Sequence, residues 1–285
     1  MTAQARLLSG GRRLHLQHGP IDLIVEADAS ARPRAFAAAH ARFAGLLEEL
    51  VAELASLRIA VGAGRPRLSG VVAQRMLRAV SPFRDRFVTP MAAVAGAVAD
   101  EVLAAMRSSG PLRRAYVNNG GDIALHLAPG ERFVTAMQRV DGADLGRICV
   151  AAGQDIGGIA TSGRDGRSLS LGIADSVTVL AESAAAADAA ATLIANAVDL
   201  PGHPGIRRTA AYLLDPDSDL GAQAVVTGCA ALSRADRAAA LENGLRAASR
   251  MATAGLIRAA SLHLQGQNAV LDEVHSFNNR IAEHA

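Results

Sequence analysis

No lysine and no tryptophan occur in these 285 residues, aromatic side chains make up 3%, and cysteine occurs twice. With lysine absent, every basic residue is arginine, and the arginines are spread along the chain rather than gathered in a run. The net charge is only +2. Few aromatics lie between the arginines, so neither the basic footprint nor the stacking groups of a nucleic-acid binder are present. Cys149 and Cys229 are far apart and match no metal spacing. Two isolated cysteines make no disulfide framework, and burial as small apolar side chains is the expectation. Arg12-Arg13 is followed by Leu14-His15-Leu16-Gln17-His18, which is not the apolar stretch of an export signal. The long alanine-rich segments carry charges at helical spacing, so no membrane span is expected and a cytoplasmic location is.

Half of the residues are hydrophobic and a fifth are charged. That balance supplies a globular core, filled largely by alanine and glycine. Apolar and polar residues alternate from Leu14 to Ala27 around Gly19-Pro20, which predicts a hairpin. A long helical pattern starts at Arg32-Pro33, with Phe36, His40, Phe43, Leu46, Leu47, Leu50 and Leu54 on one face. Gly62 to Ser69 reads as a loop and Val71 to Val80 as a short helix ended by Ser81-Pro82. A second helix, rich in small residues, is predicted from Pro90 to Arg107. Strands are expected at Ala115 to Val117, Ile123 to Leu127, Phe133 to Val140, Arg147 to Ala151 and Ser176 to Ala181. A helix from Ala184 to Val198 follows, with Glu182-Ser183 as its caps. Further on come a strand near Val225, helices around Ala235 to Ala252 and a hairpin over Ala259 to Val274. Mixed elements without strict alternation give an α+β class. No linker divides the chain, so one domain over residues 1–285 is expected.

Three constellations could carry chemistry. In Asn118-Asn119-Gly120-Gly121-Asp122, two glycines permit a sharp turn and close approach of a ligand, although Asn-Gly is equally a hairpin signal. Gly157 to Arg164 is a loop of small residues whose N–H groups and hydroxyls suit phosphate oxygens, with Arg164 and Arg167 as charge partners. It would serve equally as a plain crossing, and it is not a Walker A loop. In Asp188-Ala189-Ala190-Ala191-Thr192, a carboxylate and a hydroxyl share one helix face. Such oxygens suit Mg²⁺, which keeps waters or phosphates as its remaining ligands. A helix-dipole aspartate with a packed threonine is the alternative. The eight histidines form no metal-ligand pattern.

Taken in order, Pro90 to Asp100, Tyr116 to Ile123, Gly158-Ile159-Ala160-Thr161-Ser162-Gly163, Ser176-Val177-Thr178-Val179 and Ala187-Asp188-Ala189-Ala190-Ala191-Thr192 resemble the ApbE family of FAD:protein FMN transferases. The resemblance spans about Thr89 to Ala197 and is nearest to an ApbE-like branch of unknown function. It implies an ApbE-like fold of mixed sheets and packed helices, with 202–285 completing it. It also implies FAD, or a related pyrophosphate-bearing nucleotide, as cofactor, together with Mg²⁺. By position, Asp188 and Thr192 would hold the metal with the carbonyl of Ala160. Asn118, Asn119, Gly120, Gly121 and Asp122 would line the nucleotide pocket, and Thr161, Ser162, Gly163 and Arg164 would face the phosphates.

Two departures stand out. Ala95 precedes Gly96 where the family has lysine, and the family's His-x-x-Asp-Pro-x-Thr-Gly segment is replaced by Asp165 to Asp175. Asp165 or Asp175 would then supply the general base. A Mg-dependent flavin transfer or FAD hydrolysis, a non-catalytic nucleotide binder, and an enzyme of another heterocyclic cofactor such as a pterin all remain open. The expected partner is a small-molecule nucleotide cofactor. Many small apolar residues after Gly202 would also suit a homodimer contact.

Overall fold

Alternating burial marks the first strands. In the computed structural model, which describes residues 2–63, 67–138, 142, 144–166, 168–272 and 274–278, Arg13–His18 reads exposed–buried down its length and Ile21–Ala27 does the same. The elements in chain order are β1 (Gln4–Leu7), β2 (Arg13–His18), β3 (Ile21–Ala27), α1 (Arg32–Phe43), α2 (Leu46–Ala52), α3 (Leu54–Leu57), α4 (Val71–Val80), α5 (Val94–Ser108), β4 (Arg114–Asn119), β5 (Asp122–Leu127), β6 (Arg132–Gln138), β7 (Asp144–Ala151), β8 (Gly158–Ser162), β9 (Ser176–Ala181), α6 (Ala184–Ala197), β10 (Ile206–Ala210), β11 (Ala224–Cys229), α7 (Arg234–Thr253), β12 (Ala259–Leu264), β13 (Gln267–Asp272) and β14 (Phe277–Asn278). Antiparallel strands and separate helices make the class α+β, as the pattern of elements implied. Among the described residues no helix is long and apolar enough to cross a membrane.

Contacts divide the chain into two compact units. One comprises Met1–Arg132, Ala151–Ala160 and Ala181–Ala189; the other comprises Phe133–Val150, Thr161–Leu180 and Ala190–Ala285. The boundaries therefore fall inside β6, β7, β8, β9 and α6.

In the first unit the strands run β1-β2-β3-β4-β5-β8, each antiparallel to its neighbour. Leu16, Leu23, Val25 and Val117 point to one face and are fully buried there. Helices α1 and α5 pack against each other, α1 on β3 and α5 on β4 and β5. They bring Phe43, Ala97, Val102 and Met106 into the same core. Each large apolar side chain so buried contributes about 1.5–3 kcal/mol. The long helical pattern predicted from Arg32 to Leu54 is broken into three helices. Gly45 leaves the helical region (φ −112, ψ 9), and so does Glu53. Glu53 is recruited elsewhere: its carboxylate accepts from the Ser69 and Gly70 N–H groups at 3.0 and 2.7 Å, at the start of α4.

Buried charge ties these helices together. Glu101 of α5 accepts from Arg42 Nε at 2.8 Å and from Arg75 Nε at 2.9 Å. Arg42 also reaches Glu49 at 2.7 Å. Thus α1, α2, α4 and α5 share one ion-pair network.

In the second unit β9-β12-β13 form one antiparallel run, β14 pairs antiparallel with β7 in a sheet of order β14-β7-β6, and β10 pairs antiparallel with β11. Val177, Val179, Leu262 and Leu264 are fully buried, and α7 packs on β12 and β13. A Cβ on Gly244 of α7 would collide with Val198 and Leu262, so glycine sets the approach of that helix.

Two expectations need correction. The Gly157–Arg164 loop is mostly strand β8, because its small residues allow a close approach of backbone rather than a free bend. The cysteines are not core filler. Cys149 is exposed and Cys229 half-buried, since the alternation of β7 turns Cys149 outward between buried Ile148 and Val150. Arg167, considered above as a charge partner, lies outside the described residues.

Glu101→Gln should lower folding stability by about 2 kcal/mol. That is less than the full penalty for breaking a buried pair, because both arginines are partly exposed. Burial opposes ionisation of Glu101, but hydrogen bonds from Arg42 and Arg75 outweigh it and hold its pKa below the ordinary value. The contribution is therefore present above the unfolded Glu range and lost as pH falls through the folded pKa. Urea denaturation of both proteins at pH 7 and at acid pH measures this, with the difference shrinking in acid.

Candidate functional site

The Asn-Asn-Gly-Gly-Asp motif forms the two-residue connection between β4 and β5, with Asn119 opposite Asp122. Gly120 and Gly121 both take positive φ, 65° and 113°, which this tight hairpin requires and glycine permits. Asn118 Oδ1 accepts from the Gly121 N–H at 2.8 Å and closes the turn. Asn119 is buried and donates through Nδ2 to the Ala95 carbonyl at 3.1 Å. Both asparagines thus act on the protein itself. Nothing lies within 4 Å of the place a Gly121 Cβ would occupy. The turn's backbone is open there, and Asp122, half-buried, follows it.

Asp188 sits in α6 and reaches α5. Its Oδ2 accepts from the Gly96 N–H at 3.0 Å, and the Ala95 N–H adds a second bond. These are first-turn donors of α5, whose own N-cap, Ala93, has no side-chain hydrogen bond to offer. The favour is returned. Asp100 of α5 accepts from the Ala184 and Ala185 N–H groups at 3.0 and 2.9 Å, the opening donors of α6. Each helix therefore caps the other's N-terminus. Gly96 makes this possible, because a Cβ there would collide with the Ala184 carbonyl oxygen. Ser183 supplies the local cap that the sequence suggested, accepting from Ala186 N–H at 3.2 Å. Gly157 and Gly158 press against the same start of α6, where a Cβ on either would meet Glu182 or Ala184 backbone.

The electrostatics of this corner are unfavourable to charge. Burial pushes the Asp188 carboxyl well above its ordinary pKa, and the nearby Asp122 carboxylate pushes further. The Gly96 and Ala95 N–H groups pull the other way, and Asp100 adds repulsion. Asp100 itself is pushed up to about 6 by burial, against the lowering effect of the Ala185 and Ala184 N–H groups. Among the described residues no group of three or more His, Cys, Asp or Glu side chains has the arrangement to hold a metal. The donor chemistry is that of a carboxylate pair, Asp122 and Asp188, whose mutual repulsion a divalent cation would relieve. One or two carboxylates are what Mg²⁺ ordinarily takes from a protein.

The remaining expected residues lie in the second unit, except Ala160, which belongs to the first. Thr161 Oγ1 lies 2.9 Å from Thr178 Oγ1, so the Thr-Ser-Gly motif pairs with the Val-Thr-Val strand. Gly163 takes φ 154° with the Asp175 carbonyl where its Cβ would be. Arg164 donates through Nη2 to Asp175 at 2.7 Å. Asp175 is buried, and its other oxygen accepts from the Gln265 N–H. Asp165 is exposed, 3.6 Å from Arg164 Nε. Thr192 is half-buried in α6, four residues after Asp188. Ala160 is fully buried.

Sequence reasoning missed Asp100 as the partner of α6, Thr178 as the partner of Thr161, and the buried Ser261–His263 pair (3.0 Å). The first two join residues 84 and 17 positions apart, a separation no local pattern reports.

Two outcomes test the corner. Gly96→Ala should cost about 2 kcal/mol, the scale of overpacking, by urea denaturation. A folded pKa raised above the unfolded value stabilises most below the unfolded value, near 4, and that stability is lost as pH rises through the folded one. Without added divalent ions, Asp100 should therefore withdraw roughly 3 kcal/mol between pH 4 and pH 7.5. Asp100→Asn should flatten that part of the profile in parallel denaturation curves.

A family model described as AbpE bacteria matches residues 5–270. The UPF0280 protein of Methanopyrus kandleri is 44% identical over 126 residues, 44% of this chain and 48% of that one. The chain spans about half the length of the curated relatives it matches. Among solved structures, the ApbE protein of Thermotoga maritima aligns at TM-score 0.46 and 12% identity, over 95% of this chain and 97% of that one. The flavinyl transferase ApbE of Pseudomonas stutzeri aligns at 0.43 and 15%, over 95% of each. With the family model matched over nearly the whole length, the resemblance read from the motifs is borne out: this chain belongs to the AbpE bacteria family.

Proposed function

We propose that this protein is a Mg²⁺-dependent enzyme acting on the pyrophosphate of FAD or of a related nucleotide cofactor, by flavin transfer or hydrolysis. The observation that carries the reading is the repulsive carboxylate pair Asp122–Asp188 beside the open backbone at Gly121. Two like charges held together at a cost call for a cation, and a cation held by few protein oxygens calls for phosphate.

In this reading Asp122 and Asp188 hold Mg²⁺, with Thr192 and the Ala160 carbonyl completing the protein's share. When bound, Mg²⁺ would neutralise charge on the pyrophosphate oxygens and so favour departure of a phosphate. The Gly120–Gly121 backbone admits the nucleotide closely, and Asn118 and Asn119 keep that turn in place. Thr161, Ser162, Gly163 and Arg164 serve the phosphates through hydroxyl, N–H and guanidinium donors. Exposed Asp165 is the proton acceptor for the attacking hydroxyl. The two units would work as one ApbE-like domain, with 202–285 completing it, in the cytoplasm.

The experiment is a titration of FAD with and without Mg²⁺, followed by flavin fluorescence. Micromolar binding strengthened by Mg²⁺ is expected. Asp188→Asn, which keeps an oxygen for the Gly96 N–H but removes the charge, should lose the Mg²⁺ effect by about tenfold or more. Absence of FAD and ADP binding would sink the reading. Product analysis then separates enzyme from carrier: release of AMP or FMN over hours marks catalysis, whereas intact FAD marks a non-catalytic binder. A pterin bound in preference to FAD would redirect the substrate class.

A further inference from the structure

The general base expected at Asp175 is placed for a different task. Its carboxylate is buried at 7% exposure. Oδ1 accepts from Arg164 Nη2 at 2.7 Å and Oδ2 from the Gln265 N–H. Its own N–H donates to the His263 carbonyl at 2.9 Å. Gln265 takes a left-handed φ of 45° to present that N–H. The backbone of Arg164 is fixed as well, its N–H bonded to the Ala174 carbonyl at 2.9 Å. Asp175 is thus built into the start of β9 and the β12–β13 turn, with one oxygen turned to a single corner of the guanidinium.

One donor of that guanidinium is unsatisfied. Arg164 Nε is buried and has no hydrogen-bond acceptor. Asp165, at 3.6 Å, is within ion-pair range but beyond hydrogen-bond distance. A buried donor left without an acceptor is costly; Nε itself is enclosed, and the quarter of the side chain that remains exposed lies at its other atoms. A planar guanidinium held at one corner presents its other donors in a fixed fork, the geometry that suits phosphate oxygens.

We propose that Asp175 is a positioning residue: it locks Arg164 so that the guanidinium donors left exposed receive an anionic oxygen of a pyrophosphate-bearing ligand. This rests on the reading that Arg164 serves the phosphates, and it reassigns Asp175 from proton transfer to orientation. Asp165, whose carboxylate lies 3.6 Å from Nε, then competes with the ligand for the same guanidinium.

The sign of one effect separates positioning from plain electrostatics. By charge alone, removing the Asp175 carboxylate would tighten binding of an anion. By positioning, it weakens binding, because the arginine regains the rotamer freedom that the carboxylate had removed. The experiment is calorimetric titration of the full chain with inorganic pyrophosphate, with thermal unfolding of each variant in parallel. Asp175→Asn should weaken binding about fivefold, Arg164→Ala about tenfold, and Asp165→Asn should tighten it. Unchanged or tighter binding by folded Asp175→Asn overturns the proposal. Should that variant fail to fold, Asp175→Glu replaces it, keeping the charge but displacing the oxygens; weaker binding supports positioning, and wild-type affinity overturns it. Wild-type affinity in Arg164→Ala also overturns it, while leaving the Asp122–Asp188 reading to stand or fall on the Mg²⁺ effect in Asp188→Asn.

Discussion

The exchange of carboxylates between α5 and α6 is the constraint on which the first unit's chemistry depends. Helix starts leave donors unpaired, and here neither helix pairs all of its own. Asp188 satisfies α5 and Asp100 satisfies α6, so neither helix can shift without exposing the other's donors. The exchange needs the helices closer than any side chain on Gly96 would allow. It also fixes Asp188 next to Asp122, where burial and mutual repulsion hold the charge at a cost. A capping device has in this way become a place where a cation would be welcome.

The second unit follows a related logic with the opposite sign. There a cation, Arg164, is held by a buried carboxylate, which the Gln265 N–H holds in turn while the Asp175 backbone N–H is bonded to the His263 carbonyl. Both corners use glycine for the same purpose. Gly96, Gly157, Gly158 and Gly163 are all places where a Cβ would strike backbone. The small-residue motifs serve packing first. At Gly121, by contrast, the missing side chain leaves open space.

Much of the secondary structure was legible in the chain. The alternation in Leu14 to Ala27, the Asn-Gly turn, the helix from Val71 to Val80 and the strand from Ser176 to Ala181 all stand where their patterns put them. The long pattern after Arg32 failed because periodicity reports a face and not continuity. Gly45 and Glu53 interrupt the backbone while the apolar stripe runs on. The Gly157–Arg164 segment read as a loop because glycine suggests freedom, whereas here it permits contact.

By itself the sequence determined the turns, the apolar faces, the family and the residues worth asking about, since each of these is written in spacings of two to four positions. The tertiary structure alone decided what those residues do to one another. Asp100 and Ala184 are 84 positions apart, and Arg164 and Asp175 face each other only after β8 and β9 have been laid down. Hydrogen bonds of this kind depend on distances in space that no local repeat encodes, so the partners of a carboxylate such as Asp175 are defined only once its neighbours are in place.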